Sequence, residues 1–243
     1  MADHFKTKKD VAVERLRHAI QVGRYESGDR LRQNDLARDF GLSSTPIREA
    51  LLELQSMGLV THEAHRGVRV APLDVERIGR IYTARLIVER ETARLAFPHV
   101  TADLLDRLDE LVRQMKICVA ASELGPLIFL DESFHFTMLE ASGNEFLVKA
   151  AKDLWNTFPR YLIWNIGNRL DESMNEHGAM VSALRAHNKE QYLYYIEHHI
   201  QQSQKVFTEH LLNLGNTTVD EDKIIEIRPP DHHRHHDLGD HNE

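Results

Sequence analysis

Residues 28–70 read GDRLRQNDLARDFGLSSTPIREALLELQSMGLVTHEAHRGVRV, and the order of small units in this stretch leaves few foldings open. Leu36, Ala37 and Phe40 recur at helical spacing, so residues 34–40 form a short amphipathic helix. Gly41 follows and supplies the positive φ that a helix-ending turn requires. Leu42 turns inward, and Ser43-Ser44-Thr45-Pro46 opens a second helix with a capping hydroxyl and an early proline. On that helix Ile47, Ala50, Leu51, Leu54 and Met57 share the inner face until Gly58 stops it. Leu59-Val60-Thr61 and Val68-Arg69-Val70 alternate as strands, with His65-Arg66-Gly67 at the tip between them. Two helices across a glycine turn, then a β ribbon, is the layout of a winged helix-turn-helix. Such a unit offers the start of its second helix to the major groove of DNA. The groups at that start are Ser43, Ser44, Thr45, Arg48 and Glu49, among them a forked donor suited to phosphates and base edges.

A formal net charge of −8 looks unfavourable for contact with phosphate until it is divided. Residues 1–72 hold 12 Lys and Arg against 10 Asp and Glu, a net +2, while the remainder holds 18 against 28, a net −10. The acidity therefore lies away from the DNA-reading unit. A unit so mildly positive implies modest affinity per copy. We expect a homodimer on a palindromic duplex, with half-sites about one helical turn apart.

With 42% apolar residues, the chain can build true cores. No run approaches the roughly 18 to 20 apolar residues a membrane span needs, and the N-terminus lacks the apolar stretch of a secretory signal. The lone Cys118, among Met115, Ile117 and Val119, reads as a packed thiol that forms no intrachain disulfide. These features point to the cytoplasm.

The rest of the chain reads as helix. Residues 8–24 make a first amphipathic helix, with Val11, Val13, Leu16, Ala19, Ile20 and Val22 on its buried side. Pro72-Leu73-Asp74 is a linker whose Asp74 can cap the next helix. Helical periods then run through roughly 74–97, 101–121, 125–142, 145–166, 170–187 and 189–213, with breaks near Pro98, Gly125, Gly143 and Gly167. The expected fold is mainly α: a winged helix-turn-helix over 1–72, then an all-α antiparallel bundle over 73–215. Residues 216–243 are polar, acidic and His-rich, a composition that builds no core.

Within the bundle, Asp131 and His135 lie one helical turn apart on the same face. His177 borders the apolar stripe of Met180, Val181 and Leu184, and His199 lies in line with Tyr192, Tyr195 and Ile196. His198 is rotated about 100° away, toward Gln201 and Gln202. Three imidazoles and a carboxylate from three helices have the chemistry to hold a divalent transition metal with positions left open. Spacing alone equally allows hydrogen-bonded core histidines and a helix-surface pair. Arg85, on the stripe of Ile78, Ile81 and Tyr82, suits either an effector carboxylate or a structural pair with Glu89. Arg160 offers the same choice. Asn144 reads as a helix cap, and Trp155 and Trp164 read as core.

Gly28-Asp29-Arg30-Leu31, Asn34-Asp35-Leu36-Ala37, Phe40-Gly41-Leu42-Ser43, Thr45-Pro46-Ile47-Arg48-Glu49-Ala50-Leu51, Gly58-Leu59-Val60 and Arg66-Gly67 together resemble the GntR family of bacterial transcription regulators. Asp131-Glu132-Ser133-Phe134-His135, Ser142-Gly143-Asn144, Glu176-His177 and His199 look like the FCD effector domain of its FadR subfamily, over nearly all of 74–213. The resemblance implies DNA contacts by Arg32, Asn34, Ser43, Ser44, Thr45, Arg48, Arg66 and Gly67. It implies metal ligation by Asp131, His135, His177 and His199, with zinc first and nickel or manganese as alternatives. It further implies a regulator, most often a repressor, with a small carboxylate effector at the metal's free positions; Arg85 and Arg160 are the residues in this sequence that suit clamping it. Ser44 departs from the family, whose members usually carry a base-reading Arg there, so the operator sequence does not carry over. Two other readings remain at this point: a winged-helix regulator whose bundle only dimerises, and a metal-dependent hydrolase with Glu132 or Glu176 as base. The second fits poorly, because sequence neighbours on a helix point about 100° apart.

Overall fold

In the computed structural model, residues 6–63, 67–157 and 166–216 are described. Helix α1 (Lys8–Gln21) starts at a reciprocal cap: Thr7 Oγ1 accepts from the Asp10 amide at 3.1 Å, and Asp10 Oδ2 accepts from the Thr7 amide at 2.9 Å. Helix α2 (Gln33–Phe40) ends at Gly41, whose φ of +64° is the left-handed turn expected there. Helix α3 (Ser44–Ser56) follows from Ser43. The capping hydroxyl expected at Ser43 is not used: its side chain makes no cap hydrogen bond and stays exposed. The Ser44 carbonyl instead accepts from Gln33 Nε2 at 2.7 Å, tying the starts of α2 and α3 together.

The wing has one strand more than the sequence suggested. Strands β1 (Arg30–Leu31), β2 (Val60–Glu63) and β3 (Gly67–Val70) form an antiparallel sheet in the order β1-β3-β2. Arg30 faces Arg69, Val60 faces Val70 and Glu63 faces Gly67. A strand of two residues shows no alternation to detect. One hydrophobic cluster unites Leu16 and Ile20 of α1 with Leu36 of α2, Ile47 and Leu54 of α3, and Leu31, Val60 and Val70 of the sheet. Leu42 packs against its edge, as expected.

Helix α4 (Val75–Ala96) begins at Asp74, whose carboxylate accepts from the Arg77 amide at 2.7 Å. A 3-10 turn, Phe97–His99, absorbs Pro98. Then come α5 (Ala102–Ala120), α6 (Leu124–Glu140) and α7 (Glu145–Trp155), the last capped by Asn144 as expected. Gly125 and Pro126 sit in the first turn of α6, where a missing amide hydrogen is tolerated. The expected helix over 145–166 is shorter. It closes at the Asn156 cap, and residues 158–165 lie outside those described, together with Arg160 and Trp164. Helices α8 (Arg169–Arg185) and α9 (Lys189–Asn216) complete the described chain; residues 217–243 lie beyond it.

A second hydrophobic cluster fills this helical body, which α9 completes by packing on both α4 and α8. Val22, at the end of α1, and Leu73, in the linker, pack against it. Arg77 Nη2 donates to the Gly58 carbonyl at 2.5 Å, so the end of α3 is joined to the first turn of α4. Cys118 is buried, and Trp155 is fully buried core.

Candidate DNA interface and imidazole cluster

The reading end of the winged unit stands clear of its own body. Ser43, Ser44, Thr45 and Arg48 are exposed at the start of α3, because Pro46, Ile47, Ala50 and Leu51 take the inner positions. Arg32 and Asn34 are exposed at the start of α2. Gly67 opens β3 with a φ of +83°, and Arg30 lies close to it. Arg66 lies outside the described residues. Arg32, Asn34 and Gly67 line one hollow together with Arg30, which the sequence reading passed over.

In the helical body, Asp131 and His135 of α6, His177 of α8 and His199 of α9 come together. One ring nitrogen from each histidine falls within 4.8 Å of the others. His135 Nε2 and His177 Nε2 are 3.1 Å apart, and Asp131 Oδ1 lies 3.7 Å from the first and 3.5 Å from the second. All four residues are buried, and the three imidazole centroids stand 4.9–5.0 Å apart. Phe134 and Trp155 supply apolar walls, with Trp155 4.7 Å from the His135 ring. His198 is half-buried with its Nε2 3.8 Å from Glu176 Oε1, and it is not one of the three clustered imidazoles.

Behind His199 lies a network that the sequence reading did not find. His199 Nδ1 is 2.6 Å from Glu176 Oε2. Arg169, at the start of α8, grips both oxygens of Glu176 at 3.0 and 2.7 Å. Arg169 Nη2 also donates to the His199 carbonyl at 3.3 Å and to Ser203 Oγ at 3.0 Å. Arg169 and Glu176 lie seven apart, two turns along one helix face, and that opposite-charge spacing was the signal available.

Arg85 is not an open clamp in this structure. Its guanidinium pairs with Glu89 at 2.6 and 3.4 Å, both residues are at most 2% exposed, and it lies over Trp155 at 4.8 Å and Tyr82 at 5.0 Å. Burial alone would lower its pKa, but Glu89, Tyr82 and Asp131 outweigh that and hold the pKa raised, so the group stays charged.

Comparison with known proteins fits both halves. Residues 8–70 match the bacterial regulatory proteins of the gntR family, and residues 80–202 match the FCD domain. The chain belongs to the GntR family. It is 29% identical over 168 residues to the Nta operon transcriptional regulator of Aminobacter aminovorans, which covers 68% of this chain and 78% of that one. It is 30% identical over 162 residues to the gluconate operon transcriptional repressor of Bacillus licheniformis, 66% of each chain. McbR/YncC of E. coli shares the fold with a TM-score of 0.77 at 23% identity, covering 85% of this chain and 99% of that one. This GntR protein is a DNA-binding transcriptional regulator with an FCD domain, not an enzyme. No described helix is long and apolar enough to cross a membrane.

Proposed function

We propose that this regulator is a repressor whose grip on its operator is set by a small organic acid, bound at a metal held in the helical body. In this reading residues 1–72 bind DNA, residues 73–215 bind effector and dimerise, and residues 216–243 are a tail. The observation that carries it is the buried convergence of three imidazoles, two of which lie within 3.7 Å of one Asp131 oxygen.

The residues present suit a divalent metal. Two Nε2 atoms lie 3.1 Å apart, and unless a hydrogen is shared between them their lone pairs repel, so a cation between them is favoured. Asp131 adds negative charge, and Glu176, by accepting the Nδ1 hydrogen of His199, leaves Nε2 as that ring's lone-pair atom. Nitrogen-rich coordination with one carboxylate suits zinc first, with nickel or manganese as alternatives. Asp131, His135, His177 and His199 would hold the ion, which would supply positive charge and open coordination positions for a carboxylate. Arg85 is a weaker candidate for the effector because Glu89 already occupies it, and Arg160 remains the other.

On DNA, two copies would place their α3 starts in successive major grooves of a palindrome. Arg48, Ser43, Ser44 and Thr45 would meet bases and phosphates, Arg32 and Asn34 the flanking backbone, and Arg66 and Gly67 the minor groove. An effector that favours the dimer geometry unable to span both half-sites must lower operator affinity, by roughly 5–150-fold for ordinary coupling. The name of the gluconate operon repressor supports an effector drawn from organic acids.

The test is a thermal-shift screen of organic acids on the full chain, with zinc and with chelator. A true effector raises the melting temperature only with metal present, and at 100 times its Kd it adds about 2.7 kcal/mol. His135→Ala should abolish both the zinc shift and the acid shift. A protein that binds no metal and shows no acid shift would favour a bundle that only dimerises.

A further inference from the structure

The DNA-reading unit and the imidazole cluster are joined by a short run of contacts centred on Asn156. Its Oδ1 accepts two hydrogen bonds from α1, from Arg17 Nη1 at 2.7 Å and Gln21 Nε2 at 3.3 Å. Asn156 is 9% and Gln21 3% exposed, so this shared acceptor sits largely out of water. Between the two donors in sequence, His18 stacks on Phe129 of α6 with centroids 4.8 Å apart and an interplanar angle of 28°. On its other side Asn156 is the residue next to Trp155, whose ring contacts the His135 imidazole at 4.7 Å and the Arg85 guanidinium at 4.8 Å.

α1 in turn carries the reading helix. Its Leu16 and Ile20 share one core with Ile47, Leu51 and Leu54 of α3. From imidazole to reading helix the path is therefore His135, Trp155, Asn156, the Arg17 and Gln21 donors, and the α1–α3 core.

We propose that Asn156 is the joint through which the loading of the imidazole cluster reaches the DNA-reading unit. The inference rests on the metal reading given above. Filling the cluster repositions the His135 ring, and a ring packed on Trp155 cannot shift without pressing on it, because side chains in a dense interior have no slack. Trp155 ends α7, and a displacement of about 1 Å at that end takes Asn156 Oδ1 beyond hydrogen-bond range of Arg17. The two states are thus the bond made and the bond broken. The bonded state fixes α1, and with it the tilt of α3, against the helical body.

The experiment follows amide exchange along the full-length protein, with zinc ion as the probe. Wild type, Asn156→Ala, Arg17→Ala and Asn156→Asp are compared, and zinc affinity is measured beside each by chelator competition. In wild type, zinc changes exchange over both α1 and the segment around His135. Asn156→Ala and Arg17→Ala keep the His135 response and bind zinc at least as tightly as wild type, since no bond is left to break on loading, but lose the α1 response. Asn156→Asp, which keeps an acceptor for both donors, retains it. On a duplex selected from a random pool, the ratio of affinities with and without zinc falls in the variants from the roughly 5–150-fold range to about 1. An α1 response that persists in both alanine variants overturns the joint, and so does a zinc-loaded wild type whose α1 does not respond. A wild type that binds no zinc removes the metal reading, and this inference with it.

Discussion

Removing the Arg85 guanidinium separates a structural ion pair from an effector clamp by its cost alone. In Arg85→Met the stem remains, but the Glu89 carboxylate is left buried without the fork that held it at 2.6 and 3.4 Å. Breaking a buried pair from one side costs about 3–5 kcal/mol, because the remaining charge has lost both water and partner. The stacking of the cation over Trp155 and Tyr82 adds about 0.5–2 kcal/mol. For a protein of this size, the first term alone lowers the melting temperature by roughly 6–20 °C. Both tryptophans, Trp155 and Trp164, belong to the helical half of the chain, so their fluorescence in urea follows that half. Glu89→Leu should cost a similar amount, and the double variant should recover most of it, because no lone charge remains. A loss below about 1 kcal/mol for Arg85→Met, with additive singles, would refute the structural assignment. Arg85 would then be free to hold an effector.

Three further outcomes follow from the same geometry. Glu176→Gln keeps shape but weakens the hold on His199 Nδ1, and zinc affinity should fall by about 10–100-fold; an unchanged affinity would mean Glu176 serves only Arg169. Arg48→Ala should leave the melting curve unchanged, since the side chain is exposed, and abolish specific binding to a duplex selected from a random pool; an unaffected gel shift removes Arg48 from the contact set. Wild-type affinity for that duplex should fall steeply with salt, and a flat profile would argue against phosphate contacts.

Much of the fold can be read from local signals. Gly41 and Gly58 end helices α2 and α3 because each takes a positive φ, and Asp74 and Asn144 cap because each side chain reaches an amide three residues on. Asp131 and His135 share one face of α6 at a four-residue spacing, and both are buried in the structure. What escapes is decided across helices. Glu176 precedes His177 yet serves His199 on another helix, because the turn of about 100° between neighbours swings it away from its own partner. Strand β1 gains its identity only from β3 beside it, whereas the end of α7 at Trp155 was legible in Pro159, three residues past the Asn156 cap.

Helix α6 has no solvent stripe through its second half: every residue from 134 to 139 is buried, a run that travels more than a full turn around the axis. A rod enclosed on all sides cannot roll or slide without dislodging its neighbours. The backbone that carries Asp131 and His135 is therefore held in place, and what is left to turn there is the His135 ring against Trp155. His177 and His199 ride on α8 and α9, which keep open flanks.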